Sequence, residues 1–124
     1  MVNVRALFDT NILVDYLNGV TEARDELARY DQKVISVITW AEVLVGARDA
    51  ADEQAICAYL STFDVADVGR EVAEEAVRLR RENRLRLPDA LIWATARRYG
   101  ALLVTRNTKD FPKHDPGVRV PYSV

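Results

Sequence analysis

The chain has 124 residues, enough for one domain with a substantial core and too few for two. Hydrophobic residues make up 49% and charged residues 29%, which excludes a disordered chain, and Cys57 as the sole cysteine excludes an internal disulfide. No apolar run approaches a membrane span and the N-terminus lacks the basic-then-apolar order of a signal peptide, so a soluble cytoplasmic protein of net charge −2 is expected.

Residues 2–8 are rich in apolar and β-forming residues and read as a first strand. Asp9-Thr10-Asn11 follows as a polar turn, then residues 12–17 as a short helix ending near Gly19. Residues 21–30 read as a helix with Thr21 as a possible N-cap, and residues 33–36 as a second strand. Ser36 can cap the next helix, which runs to about Gly46, and residues 50–63 form another. A short strand over 64–68 leads to a charged amphipathic helix over 71–84, with Val72, Ala76, Val77 and Leu79 on its apolar side. Pro88 suits the first turn of a further helix and Gly100 its end. Residues 101–105 then form a buried strand and 118–121 a weak last one, across a 111–117 loop. This alternation predicts an α/β fold, a three-layer αβα sandwich around a central, mostly parallel sheet, as one domain over residues 1–124.

Three acids stand alone in apolar runs: Asp9 in residues 6–14, Glu42 in 34–47 and Asp89 in 87–96. Asp and Glu are rarely buried unless paired, and no Lys, Arg or His lies inside any of these runs. Asp9 follows the first strand and Asp110 the loop after strand 101–105, so these acids approach the carboxyl edge of the sheet, where ligands bind in such folds. Glu42, sharing a helix face with Ile38, Thr39, Val45 and Gly46, and Asp89, with Ile92, Trp93 and Ala96, sit on faces that do not read as solvated. Clustered carboxylates raise one another's pKa unless a cation intervenes. Oxygen-only ligands point to Mg²⁺ or Mn²⁺, one or two ions, able to activate water against a phosphodiester.

The motifs Asp9-Thr10-Asn11, Ser36-x-x-Thr39-x-x-Glu42, Leu87-Pro88-Asp89-Ala90 and Thr105-Arg106-Asn107-x-x-Asp110-Phe111 resemble those of the PIN-domain nucleases. The length and spacing are most similar to the VapC ribonuclease toxins of toxin–antitoxin pairs, over about residues 4–111. The resemblance implies that Asp9, Glu42, Asp89 and Asp110 form the catalytic, metal-binding acidic set. It implies that Thr10, Asn11, Thr39 and Thr105 support it, with Asn107 standing where many relatives carry another acid. It further implies an endoribonuclease that is a homodimer and is covered by a cognate VapB-type antitoxin. Short helices over 12–17, 21–30 and 50–63 have apolar residues to form a groove for that antitoxin, one of whose arginines would reach the carboxylates.

Other readings compete. A phospho-accepting receiver domain needs adjacent acids after its first strand, and a haloacid-dehalogenase-type phosphatase needs a second Asp where Asn11 stands. Both fail on those residues. A catalytically inert PIN-like RNA- or protein-binding module is kept alive by Asn107. Asp9 could be a simple N-cap and Asp110 ordinary turn chemistry. Asp15 reads as a solvent-facing or rim residue, Trp40, Trp93 and Cys57 as core residues, and His114 as a surface residue.

The charge is uneven. Residues 1–67 carry 5 Lys/Arg and 12 Asp/Glu, while 68–124 carry 12 and 7, so the halves are −7 and +5. Arg78, Arg80, Arg81, Arg84 and Arg86, then Arg97, Arg98, Arg106 and Lys109, can attract a polyanion. The bland alternative for the first cluster is a solvated helix face laced with Glu71, Glu74, Glu75 and Glu82.

Overall fold

The computed structural model describes residues 2–123. Its elements are β1 (Val2–Phe8), α1 (Thr10–Leu17), α2 (Thr21–Leu27), β2 (Tyr30–Ser36), α3 (Val37–Val45) and α4 (Ala50–Leu60). They continue as β3 (Asp64–Ala66), α5 (Arg70–Asn83), α6 (Leu87–Arg98), β4 (Leu102–Val104) and β5 (Val118–Arg119). The strands lie in the order β3-β2-β1-β4-β5, and all four pairings are parallel.

Side chains alternate along a strand, so a parallel sheet with helices on both faces needs two cores. On one face Leu7 and Val34 pack with Val72, Ala76 and Leu79 of α5 and Ile92, Trp93 and Ala96 of α6. On the other, Ala6, Phe8 and Ile35 pack with Ile12 and Leu13 of α1, Val43 of α3 and Leu60 of α4. Neighbours in sequence thus serve opposite layers, which is the expected three-layer α/β sandwich. β1 is central, with β2 on one side and β4 on the other. The chain reverses its winding direction there, and the crevice beyond the ends of β1 and β4 is where this architecture places a site.

Several boundaries differ from those expected. Asp9 is itself the N-cap of α1, extended at φ −67° and ψ 155°, and its carboxylate accepts from the Thr10 backbone N–H. Thr10 and Asn11 are therefore the first helical residues, not a separate polar turn. α2 ends at Leu27, and Tyr30 opens β2 instead of closing the helix. The Tyr30 ring meets Phe8 edge-on at 5.7 Å and its hydroxyl donates to Glu26 at 2.7 Å, contacts that a strand position supplies. Trp93 is buried against Phe111, whereas Trp40 and Cys57 are only half-buried. His114 is exposed, as expected.

Glu26, 4% exposed, was not anticipated as a buried acid. It accepts from Arg119 Nε at 2.7 Å and from a terminal nitrogen at 2.9 Å, as well as from Tyr30. Burial is the largest influence and pushes its pKa up, but Arg119 and Tyr30 together outweigh it and hold the carboxyl below its ordinary range. This forked pair ties α2 to β5, the last strand of the sheet.

Candidate active site

Each acid arrives at the crevice on a different element. Asp9 closes β1, Glu42 lies midway along α3, and Asp89 sits in the first turn of α6, fixed there by Pro88 at its start. A cleft of about 290 Å³ is lined by all three, together with Thr10, Asn11, Asn107, Val14, Arg86 and Arg106. Three of the four expected carboxylates therefore share one surface.

Asp9, 3% exposed, is held by three neutral neighbours. One oxygen accepts from Thr10 N–H at 2.8 Å, and the other accepts from Asn11 Nδ2 at 3.1 Å and Thr105 Oγ1 at 2.8 Å. Thr105 is fully buried and closes β4, whose carbonyl at Val104 also accepts from Asp9 N–H at 2.9 Å. Burial pushes the Asp9 carboxyl up to about 6; hydrogen bonds from Thr105 and Thr10 oppose this, and the nearby Asp89 and Glu42 add to it.

Glu42 differs from expectation, being exposed. Its helix turns that side towards the cleft and solvent, and Val45 on the same side is 85% exposed. The Thr10 hydroxyl donates to Glu42 at 2.6 Å and lies 3.1 Å from the Thr39 hydroxyl. A hydroxyl has one proton, so with Thr10 committed to Glu42 the buried Thr39 is the donor of the second contact. This chain fixes the carboxylate of an otherwise solvent-facing side chain.

Asp89 is 7% exposed and accepts from Arg86 Nε at 3.2 Å. Its pKa is raised, first by burial, against the opposing Arg86 and with help from Asp110 and Glu42. Arg86 lies just outside the apolar run in which Asp89 had read as unpartnered.

Asp110 does not line the cleft with the others. Asn107 Nδ2 donates to it at 2.9 Å, and Asn107 Oδ1 accepts from the backbone N–H groups of Lys109 and Asp110 at 3.1 and 3.2 Å. The Asn107 side chain thus folds the loop into a turn and sets Asp110 at the rim. From there its charge still reaches Asp89 and Arg86.

The sequence does not show that Asp15 and Arg106 pair beside the site. Asp15 is 6% exposed, not solvent-facing, because Arg106 grips it through Nε at 2.5 Å and a terminal nitrogen at 3.0 Å while Tyr122 donates to it at 2.8 Å. The Arg106 bond, opposed by burial and reinforced by Tyr122, holds the Asp15 carboxyl below its ordinary value. Arg106 N–H also donates to Asn11 Oδ1 at 3.3 Å. Its partner lies 91 positions away, so no local pattern marked it.

The donor set fits a small, hard cation. Asp9, Glu42 and Asp89 are all oxygen ligands, and Asp9 is a buried carboxylate with no basic side chain hydrogen-bonded to it. Among the described residues no three His, Cys, Asp or Glu side chains are drawn together closely enough to hold an ion by themselves. An ion of the Mg²⁺ type keeps several waters and needs only one or two carboxylates, so this sparse arrangement suits it better than a dehydrated cage.

The comparisons with known proteins agree with this fold. The PIN domain family profile matches residues 6–115. Ribonuclease VapC10 of Mycobacterium tuberculosis is 34% identical over 126 residues, covering 95% of this chain and 93% of that protein. A chain of a toxin–antitoxin complex from Klebsiella pneumoniae superposes with a TM-score of 0.91 at 48% identity, covering 96% of this chain and 99% of the other. A chain of VapBC2 from Rickettsia felis, in a complex bound to a DNA fragment from its promoter, gives a TM-score of 0.72 at 26% identity over 91% and 94%. The chain that folds Asp9, Glu42 and Asp89 into one cleft belongs to the PIN-domain family, among its VapC-type members.

Proposed function

We propose that this protein is a Mg²⁺- or Mn²⁺-dependent endoribonuclease, the toxin of a toxin–antitoxin pair, acting in the cytoplasm as a single nuclease domain and as a homodimer under the control of a VapB-type antitoxin. The observation that carries the reading is Asp9: a carboxylate buried at the sheet switch point, held by three oriented neutral donors and close to two further acids.

Asp9, Glu42 and Asp89 are the residues to hold one or two ions, with Asp110 able to assist from the rim. The ion, when bound, supplies Lewis-acid activation of water and neutralises the charge of the phosphodiester. Thr105 and Asn11 fix the orientation of the Asp9 carboxylate, and Thr10 with Thr39 prevents Glu42 from swinging into solvent. Asn107 keeps Asp110 from drifting away with its loop. No Ser, Cys or His nucleophile lines the cleft.

The test is incubation of the purified protein with total cellular RNA and Mg²⁺ or Mn²⁺, followed by mapping of new ends. Cleavage is expected for the wild type and a loss on the order of 10³-fold for Asp89→Asn with the fold retained. Wild-type rates in that variant would overturn the mechanism through Asp89, whereas an inert wild type that takes up no Mn²⁺ in calorimetry at millimolar metal would leave the binding-module reading.

An antitoxin surface is also available. Clefts of about 310 and 300 Å³ flank α1, lined by Val14, Leu17, Gly46 and Arg48 on one side and by Tyr16, Leu17, Val20 and Arg24 on the other. Leu17 is 41% exposed, while Tyr16 stacks on Tyr59 at 4.8 Å and contributes to the core. Leu17→Asp is therefore the cleaner variant. It is expected to weaken a pull-down of the antitoxin at least tenfold with the melting temperature unchanged; undiminished capture would show that the partner sits elsewhere.

A further inference from the structure

Two arginines line the cleft from different elements, and each is anchored through Nε to a carboxylate. Arg86, in the short connection between α5 and α6, uses Nε to reach Asp89 at 3.2 Å. Its terminal nitrogens have no hydrogen-bond partner among the described residues, and its side chain is 78% exposed. Arg106, in the loop after β4, spends Nε and one terminal nitrogen on Asp15, leaving the other nitrogen without a partner among the described residues. Both line the cleft with the three acids.

This arrangement answers an electrostatic difficulty. A cleft lined by carboxylates repels the phosphates of a nucleic acid, and screening over about 8 Å at physiological salt does not remove that repulsion inside the site. Pinned through Nε, Arg86 presents both terminal nitrogens as a preoriented fork and Arg106 presents its one remaining terminal nitrogen, so either can bind a phosphate with little further loss of side-chain freedom. Asp15 holds the Arg106 guanidinium, Tyr122 fixes Asp15 in turn, and Asn11 Oδ1 accepts from the Arg106 backbone N–H.

The α5 side carries a second indication. Arg84 caps α5 in the left-handed region, φ 57° and ψ 38°, the only non-glycine with positive φ among the described residues. Glycine would adopt that conformation at lower cost. Arg80, Arg81 and Arg84 are exposed and make no ion pair among the described residues, so they extend the free positive charge from Arg86 along the end of α5. The α5–α6 ion pairs, Arg98 with Glu71 and Arg97 with Glu75, lie at the opposite end of the hairpin.

We infer that Arg86 and Arg106 bind the backbone phosphates on the two sides of the scissile position, so that the RNA strand crosses the cleft from the Arg84–Arg86 connection to the loop after β4. This deepens the nuclease reading, on which it rests for its substrate, by assigning the substrate's path and two substrate-binding residues outside the acidic set.

The experiment measures binding apart from cleavage. A fluorescent single-stranded RNA is titrated in EDTA with the wild type, Arg86→Ala, and Arg106→Gln combined with Asp15→Asn, at several salt concentrations. The paired replacement removes both charges of the buried pair and keeps a hydrogen bond, which guards against unfolding; a melting curve checks each variant. Each lost phosphate contact should weaken binding about tenfold and flatten the logarithmic salt slope by about 0.7. With Mg²⁺ or Mn²⁺, KM should rise more than kcat falls. Unchanged affinity and salt slope in both folded variants, alongside a wild type that binds RNA, would overturn the assignment. A wild type that binds RNA through these arginines but never cuts it would overturn the nuclease reading and leave the arginine assignment standing.

Discussion

Asp9→Asn is expected to cripple metal-dependent RNA cleavage and, in the absence of metal, to stabilise the fold at pH 8. The two effects have one cause. Asp9 titrates near 6 in the folded protein and near 3.8 when exposed, because burial and the neighbouring acids disfavour its charge. A raised carboxyl pKa gives stability that is fully present below about 3.8 and is lost as pH rises through about 6. A gap of roughly two units corresponds to about 3 kcal/mol. Asn carries no charge to desolvate, but it loses the charge-assisted bonds from Asn11 and Thr105, a cost on the order of 1–2 kcal/mol. The balance favours the variant by about 1 kcal/mol, or roughly 3–6 °C in melting temperature at pH 8 in EDTA. The advantage should shrink towards pH 4, where the wild-type side chain is neutral too. Added Mn²⁺ should raise the melting temperature of the wild type and not that of the variant. The same substitution should lower cleavage on the order of 10³-fold. A variant that melts below the wild type at pH 8 without metal would show that Asp9 is an ordinary N-cap whose charge costs the fold nothing.

That such a residue could be found without coordinates follows from how burial writes itself into a chain. Asp9 and Asp89 interrupt apolar runs, and the structure buries both. The alternation of strand and helix patterns likewise carries the parallel sheet, since each layer has its own period. Glu42 shows where this logic weakens. The run around it is apolar, yet α3 turns Glu42 and Val45 outward, and the reason Glu42 is held lies in a hydroxyl on α1 rather than in its own helix. The paired acids were illegible for a different reason. Glu26 lies in a segment rich in polar residues and Asp15 at the end of an apolar run, and their arginines come from 93 and 91 positions away. A contact of that range leaves no periodicity to read. Asp110 was placed in the correct loop, but its exclusion from the cleft lining depends on the turn that Asn107 makes with its side chain.

Arg119→Met is expected to be the most destabilising single change outside the cleft. Glu26 is 4% exposed and accepts both forks of the Arg119 guanidinium, and Tyr30 adds a third bond. Removing the arginine leaves that carboxylate buried with Tyr30 and the more distant Arg29, whose Nε is 3.6 Å away. Breaking a buried pair from one side typically costs about 3–5 kcal/mol, because the remaining charge keeps its desolvation penalty and loses its compensation. For a domain of this length the melting temperature should fall by roughly 10 °C or more. The loss should also depend on pH with a definite sign. Glu26 is held below its ordinary 4.5 in the wild type, so the pair stabilises the fold above about 4.5 and ceases to do so as pH falls through the lowered folded value. Wild type and variant should therefore converge in acid. A double variant, Glu26→Met with Arg119→Met, separates charge from packing: with both ions gone, most of the stability should return, since well-packed apolar replacements of buried pairs are often neutral. Urea unfolding at pH 7.5 and pH 4 of the three proteins measures all of this. If the single variant unfolds at the wild-type midpoint, Arg119 is not what makes Glu26 tolerable, and the link from α2 to the edge strand β5 contributes nothing to stability.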